Sequence, residues 1–176
     1  TIGSAFSDVI SKSNMTLSSV ELLNEESVPK DAAAIIINAP QKDFNKNDAQ
    51  KVIDYLQKGG KAIIVGMHSE TEMPNFASIL DTYGVSLTTG PIADNDAQHY
   101  YNMGGPLYLL PNVNSSSYTG SLSGGYVYLP ISLGINYPQN NTTDDTESTE
   151  ESKTTYTSLL DTSDDAVAKN NPNSMQ

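Results

Sequence analysis

The stretch that decides the fold runs from Ala32 to Gly66 and reads AAAIIINAPQKDFNKNDAQKVIDYLQKGGKAIIVG. Its first seven residues are continuously apolar and β-branched, ending at Asn38 before Pro40, which is the pattern of a strand buried on both faces. Asn45 or Asn47 then offers an N-cap, and Ala49, Val52, Ile53 and Leu56 recur at helical spacing until Gly59-Gly60 stops the helix. Lys61 to Gly66 supplies a second apolar strand. A strand, helix and strand joined by connections this short predict a right-handed parallel crossover.

Working outward, Phe6, Val9 and Ile10 share one face of a short helix, and the alternation at Met15, Leu17 and Val20 predicts a strand. Pro74 can open another helix carrying Phe76, Ile79, Leu80 and Tyr83, which Gly84 ends before a short strand at Val85-Ser86-Leu87. From Gly90-Pro91 to Pro106 the sequence reads as a long loop with one strand at Ile92. Leu107–Leu110 and Tyr126–Leu129 are strand candidates able to lie side by side, and Thr155–Leu160 is a further one.

The resulting expectation is a single α/β domain over residues 1–176. It has a parallel-centred three-layer sheet, flavodoxin-like or glutamine-amidotransferase-like, and a less regular β-rich second half. Residues 138–153 have almost no apolar content and a block of acids, so they are expected to form a mobile acidic insertion, and residues 166–176 a disordered tail.

Composition narrows the function classes. Nine basic residues, all lysine, face 21 acidic ones for a formal net charge of -12. Without clustered cations or arginine forks, nucleic acid is excluded as a partner and an anionic membrane surface is disfavoured. The chain has no cysteine, so disulfides, thiolate nucleophiles and thiolate metal ligands are excluded together. A glutamine-amidotransferase mechanism falls with them. The nearest approach to a serine-hydrolase elbow, Gly120-Ser121-Leu122-Ser123-Gly124, sits in flexible sequence with the wrong spacing. Gly59-Gly60 ends a helix instead of opening one, so it cannot cradle phosphate. No catalytic residue, cofactor or metal is expected.

The best position for a ligand is the edge at the C-terminal ends of the two central strands, where α/β sheets bind their ligands. Gln41, Lys42 and Asp43 follow the first of these strands, and His68, Glu70 and Glu72 follow the second. A hydrolase or metal-dependent enzyme would be built there around His68. Asp94, Asn95, Asp96 and His99 offer oxygen and imidazole ligands for a cation, but they lack the pattern of a calcium loop, and a surface turn is the simpler reading. Tyr100, Tyr101, Tyr108, Tyr118, Tyr126, Tyr128 and Tyr137 crowd the second half. They suit either a half-buried sheet edge or a contact surface for protein or carbohydrate.

Several segments, taken in order, resemble the GldG-like (gliding-motility type) ABC-transporter auxiliary family. They are Val28-Pro29-Lys30-Asp31 running into AAAIIINAPQKDF, then DAQKVIDYLQKGGKAIIVG, MPNFASILDTYGV, LYLLP at 107–111 and TSLLDTSDDAVAK. The resemblance implies a non-enzymatic domain on the extracytoplasmic face of a bacterial membrane, anchored by transmembrane segments outside these residues. Its partners would be a permease and an ATP-binding subunit, with an extracytoplasmic protein or glycan as a further one. Family members place another strand before the first helix, so the sheet is expected either to lack one member or to recruit it from another chain. The family carries no established catalytic residues to transfer.

Overall fold

The computed structural model describes residues 3–122, 125–138 and 154–169. Two compact units divide the chain, residues 1–82 and 83–176.

The first unit is organised by the strand-helix-strand stretch. β1 (Ile35–Asn38) and β2 (Ala62–Val65) pair in parallel with Ile35 opposite Ala62 and Asn38 opposite Val65, and α2 (Lys46–Gln57) crosses between them. Asn45 caps α2 by accepting the Asp48 N–H at 2.8 Å. Gly59, at a φ of +87°, closes the helix as its N–H turns back to the Leu56 carbonyl and that of Gly60 to Tyr55. Ala49, Val52 and Leu56 of α2 are buried, as are Phe76 and Ile79 of α3 (Pro74–Asp81), and the rings of Phe44 and Phe76 stack at 6.4 Å. Ile37 joins this core, whereas Ile63 and Val65 point to the other side of the sheet and are nearly half exposed. The first helix, α1 (Ser4–Lys12), forms where Phe6, Val9 and Ile10 predict it but buries none of its residues.

The second unit is antiparallel throughout its described residues. β3 (Ser86–Asp94) is its central strand, and it changes neighbours across the sheet. Ser86, Leu87 and Pro91 pair with β7 (Leu133–Asn136), and Ile92 to Asp94 pair with β9 (Ala166–Ala168). The register shifts between Leu87 and Pro91. Proline has no N–H for a ladder and is tolerated in a strand at such a bulge. Thr88 bridges the irregularity by accepting the Gly134 N–H at 2.9 Å and donating to the Gly90 carbonyl at 2.8 Å. Two smaller antiparallel pairs complete the unit, β4 (Tyr108–Leu109) with β6 (Leu129–Pro130) and β5 (Asn112–Val113) with β8 (Leu160–Asp161).

This architecture corrects the expected fold class. The described residues hold one two-stranded parallel sheet among small antiparallel ones, and no parallel-centred three-layer sheet of the flavodoxin or glutamine-amidotransferase type. Two of the strands needed for the larger sheet go elsewhere. Residues 15–21 form no strand and lead into a single 3-10 turn at Leu22–Asn24. The strand begun at Ser86 continues for nine residues through the expected loop and joins the antiparallel sheet. Residues 166–168, at the start of the expected disordered tail, supply β9, while most of the expected acidic insertion, 139–153, and residues 170–176 lie outside the described residues.

Candidate functional site

The six residues placed by sequence at the sheet edge do occupy the loops after β1 and β2, but they do not assemble a reactive centre. Asp43 has a structural task. Its Oδ1 accepts the Phe76 N–H at 2.8 Å, and its Oδ2 accepts the Asn75 N–H at 3.1 Å and the Asn75 amide at 2.8 Å. These bonds satisfy the first N–H groups of α3, which has no cap of its own at Met73. Burial opposes ionisation of Asp43, but the bonds from Asn75 and Phe76 outweigh it and hold the carboxyl below the ordinary range. Gln41 turns its amide back to the Ala39 carbonyl, Lys42, Glu70 and Glu72 are exposed, and His68 is half-buried. Among the described residues no three His, Asp or Glu side chains converge to hold a metal ion.

The second unit concentrates its polar organisation around Asp94. The carboxylate is fully buried at the end of β3. Its Oδ1 accepts the Asp96 N–H at 3.0 Å and the Ser163 hydroxyl at 2.5 Å, and its Oδ2 accepts the Ser163 N–H at 2.9 Å. The Asp94 N–H donates to the Pro106 carbonyl at 2.9 Å. Burial pushes against the charge, yet the Ser163 and Asp96 donors and the nearby His99 hold Asp94 below the usual carboxylate range. Both oxygens are therefore occupied by protein donors, so Asp94 ties a folding knot in place of a cation loop. The residues that follow form the surface turn their composition suggests, with Asn95 and Gln98 exposed and the His99 N–H donating to the Asp96 carbonyl at 2.9 Å. Ser163 carries no local sequence signal for this role, because it lies 69 residues from Asp94.

Just beyond the knot, residues 99–101 run antiparallel to 108–110. The Leu110 N–H donates to His99, the Tyr101 N–H donates to Tyr108, and Tyr100 sits opposite Leu109. The β4 to β6 pairing adds a third strand, with Tyr108 opposite Pro130 and Leu109 opposite Leu129. Alternation across this small sheet buries Leu109 on one side and gathers tyrosines on the other. The Tyr128 ring lies 6.1 Å from Tyr101, edge-on at 83°, and 6.1 Å from Tyr108, stacked at 19°. Tyr101 is 46% exposed and Tyr128 49%, with Tyr126 and Met103 almost fully in solvent beside them in sequence. His99 stands on the Tyr101 strand with its Nδ1 3.0 Å from Asp96 Oδ2. The knot thus lies at the root of the strand that presents Tyr101.

The remaining tyrosines divide. Tyr137 and Tyr156 stack on each other at 5.3 Å, and the Tyr156 hydroxyl donates to the Tyr83 carbonyl at 2.6 Å, which gives this pair a structural role. Tyr118 is 80% exposed. Elsewhere, an open depression of about 620 Å³ beside α1 is lined by Ser7, Ser11, Asn14, Met15, Thr16 and Leu17 and contains no ionisable side chain. No described helix is long and apolar enough to cross a membrane. Compared with protein-family models, curated proteins and solved structures, the chain matches none.

Proposed function

We propose that this chain is a non-enzymatic binding module that meets its partner through the Tyr101–Tyr108–Tyr128 face. One observation carries the reading: Tyr128 packs against both Tyr101 and Tyr108 on one side of a small antiparallel sheet, Tyr101 and Tyr128 are about half exposed, and the buried Asp94 knot lies at the root of the Tyr101 strand. Tyrosine supplies large contact area and a hydroxyl at low entropy cost, which is why rigid tyrosine clusters serve as contact surfaces. Chemistry has less to work with. The chain lacks cysteine, and both buried or capping carboxylates, Asp94 and Asp43, are saturated by protein donors. A hydrolase centred on His68 would have to rely on Glu70 and Glu72, both exposed.

The setting we propose is an auxiliary role in a bacterial ABC-type export system on the extracytoplasmic face, working with a permease and an ATP-binding subunit. Its support is the ordered resemblance of five segments to the GldG-like family. Affinity purification of the parent protein from its native cells tests both parts. The permease and ATPase should co-purify from the membrane fraction, and a Tyr101→Ala/Tyr128→Ala variant should lose an extracytoplasmic partner while keeping those two subunits. Recovery of the parent from the cytosol without them would refute the setting.

A further inference from the structure

We infer that the tyrosine face takes a cationic polypeptide segment, one whose arginine or lysine side chains stack on Tyr101 and Tyr128; this rests on the binding-module reading above. The first ground is charge. The unit that carries the face, residues 83–176, contains ten acidic side chains against two lysines and no arginine, so it attracts cations and repels anionic glycans, nucleic acids and acidic proteins. Asp96 brings part of that charge to the face, since it is bonded to His99 on the same strand as Tyr101 and its side chain remains 37% exposed.

Ring geometry is the second ground. The π-face of tyrosine is its electronegative side and draws a guanidinium or ammonium to within about 6 Å of the centroid. Because the Tyr128 ring already packs at 6.1 Å against both Tyr101 and Tyr108, no open gap is left on either side of it for a compact quaternary ammonium. A cation must instead lie flat on an outward ring surface. A planar guanidinium does this better than a spherical ion, and successive side chains of an extended segment can reach neighbouring rings.

Fluorescence anisotropy on the full chain tests the inference, using a labelled twelve-residue peptide with four arginines, the same peptide with glutamine at those positions, and a neutral oligosaccharide. The arginine peptide should bind, and binding should weaken as salt rises from low to physiological ionic strength. Tyr101→Ala and Tyr128→Ala should each reduce affinity by about two- to fivefold, Tyr128→Phe should keep it, and Tyr118→Ala should leave it unchanged. The Tyr101 and Tyr128 ring protons of the unaltered protein should shift on titration, a readout that does not depend on any variant folding. Equal binding of the glutamine peptide, or failure of the arginine peptide to shift those rings, overturns the inference. If the oligosaccharide shifts the same rings and the arginine peptide does not, the face is a binding face but a carbohydrate one. Should none of the three probes shift the rings, the binding-module reading itself loses its support.

Discussion

Ser163 donates both its N–H and its hydroxyl to the carboxylate of Asp94, 69 residues earlier in the chain. The contact ties the end of β3 to the turn before β9, next to the register in which Asp94 opposes Ala166. Removing the carboxylate strands the Ser163 and Asp96 donors in a fully buried site. Asp94→Ala is therefore expected to destabilise the second unit by about 2–4 kcal/mol, the range for buried donors left unsatisfied in a broken network. Asp94→Asn should do nearly as badly, because its amide must turn one N–H group toward a donor. Urea denaturation followed by tyrosine fluorescence would measure both, and a loss below about 0.5 kcal/mol in either would contradict the account.

Two titrations of opposite sign bracket the stability of this unit. Asp94 is held below its ordinary value of 3.8 despite burial, so its contribution is fully present above about pH 4 and is lost as pH falls through the lower folded value. Asp161, bonded by the Asn114 amide and the Ser158 hydroxyl, is depressed as well and acts in the same direction. For His99, burial works against the charge, but the bond to Asp96, the Asn112 side chain and the charges of Asp96 and Asp94 raise its value above 6.5. Its contribution is complete below about pH 6.5 and declines as pH rises through the raised folded value. An NMR titration should place the His99 midpoint above 6.5, and Asp96→Asn should bring it down. A His99 midpoint unaffected by Asp96→Asn would show that the pair at 3.0 Å does not govern the ring.

Asp43, which sequence placed on a ligand edge, is expected to behave as a cap. Asp43→Ala leaves the Asn75 and Phe76 N–H groups at the start of α3 without their acceptor and should cost the first unit about 0.5–2 kcal/mol. Amide exchange should quicken at Asn75 and Phe76 before it does in α2. If Asp43→Ala abolished binding of a small ligand while leaving α3 protected, the edge would be a binding site after all.

What sequence made legible was local. The strand, helix and strand of residues 32–66 could be read because each element is long, periodic and punctuated by its own stops, Asn45 at one end of the helix and Gly59-Gly60 at the other. The stretches around Leu107–Leu110 and Tyr126–Leu129 were recognisable as neighbours, and Leu109 and Leu129 do pair. The sheet type was not legible, because a parallel unit says nothing about whether a third strand joins it. Gly90-Pro91 reads as a break by composition, yet a bulge bonded through Thr88 lets β3 run straight through. The Asp94 knot was hidden for a related reason. Asp and Asn in succession signal a turn, and only tertiary folding brings Ser163 to bury one of them.

The turn from Tyr101 to Tyr108 offers the most direct test of how the tyrosine face is held. Gly104 lies so close to the Tyr108 ring that a β-carbon there would stand 2.5 Å from Cγ and 2.6 Å from Cδ2. Those atoms are at the root of the side chain, beside a backbone pinned by the Tyr101 N–H to the Tyr108 carbonyl, so the ring cannot swing clear by moving its tip alone. Gly104→Ala should force the Tyr108 side chain to rotate or the turn to open, at a cost of about 1–3 kcal/mol for overpacking. Rotation would break the 19° stack of Tyr108 on Tyr128 and alter the chemical shifts of both rings. Gly105→Ala provides the contrast. Its β-carbon meets open space, and only the positive φ of +80° opposes it, so that variant should lose about 1–2 kcal/mol while leaving the ring shifts of Tyr108 and Tyr128 in place. Equal ring-shift changes in the two variants would mean that the turn backbone, and not the contact between Gly104 and Tyr108, sets the aromatic face.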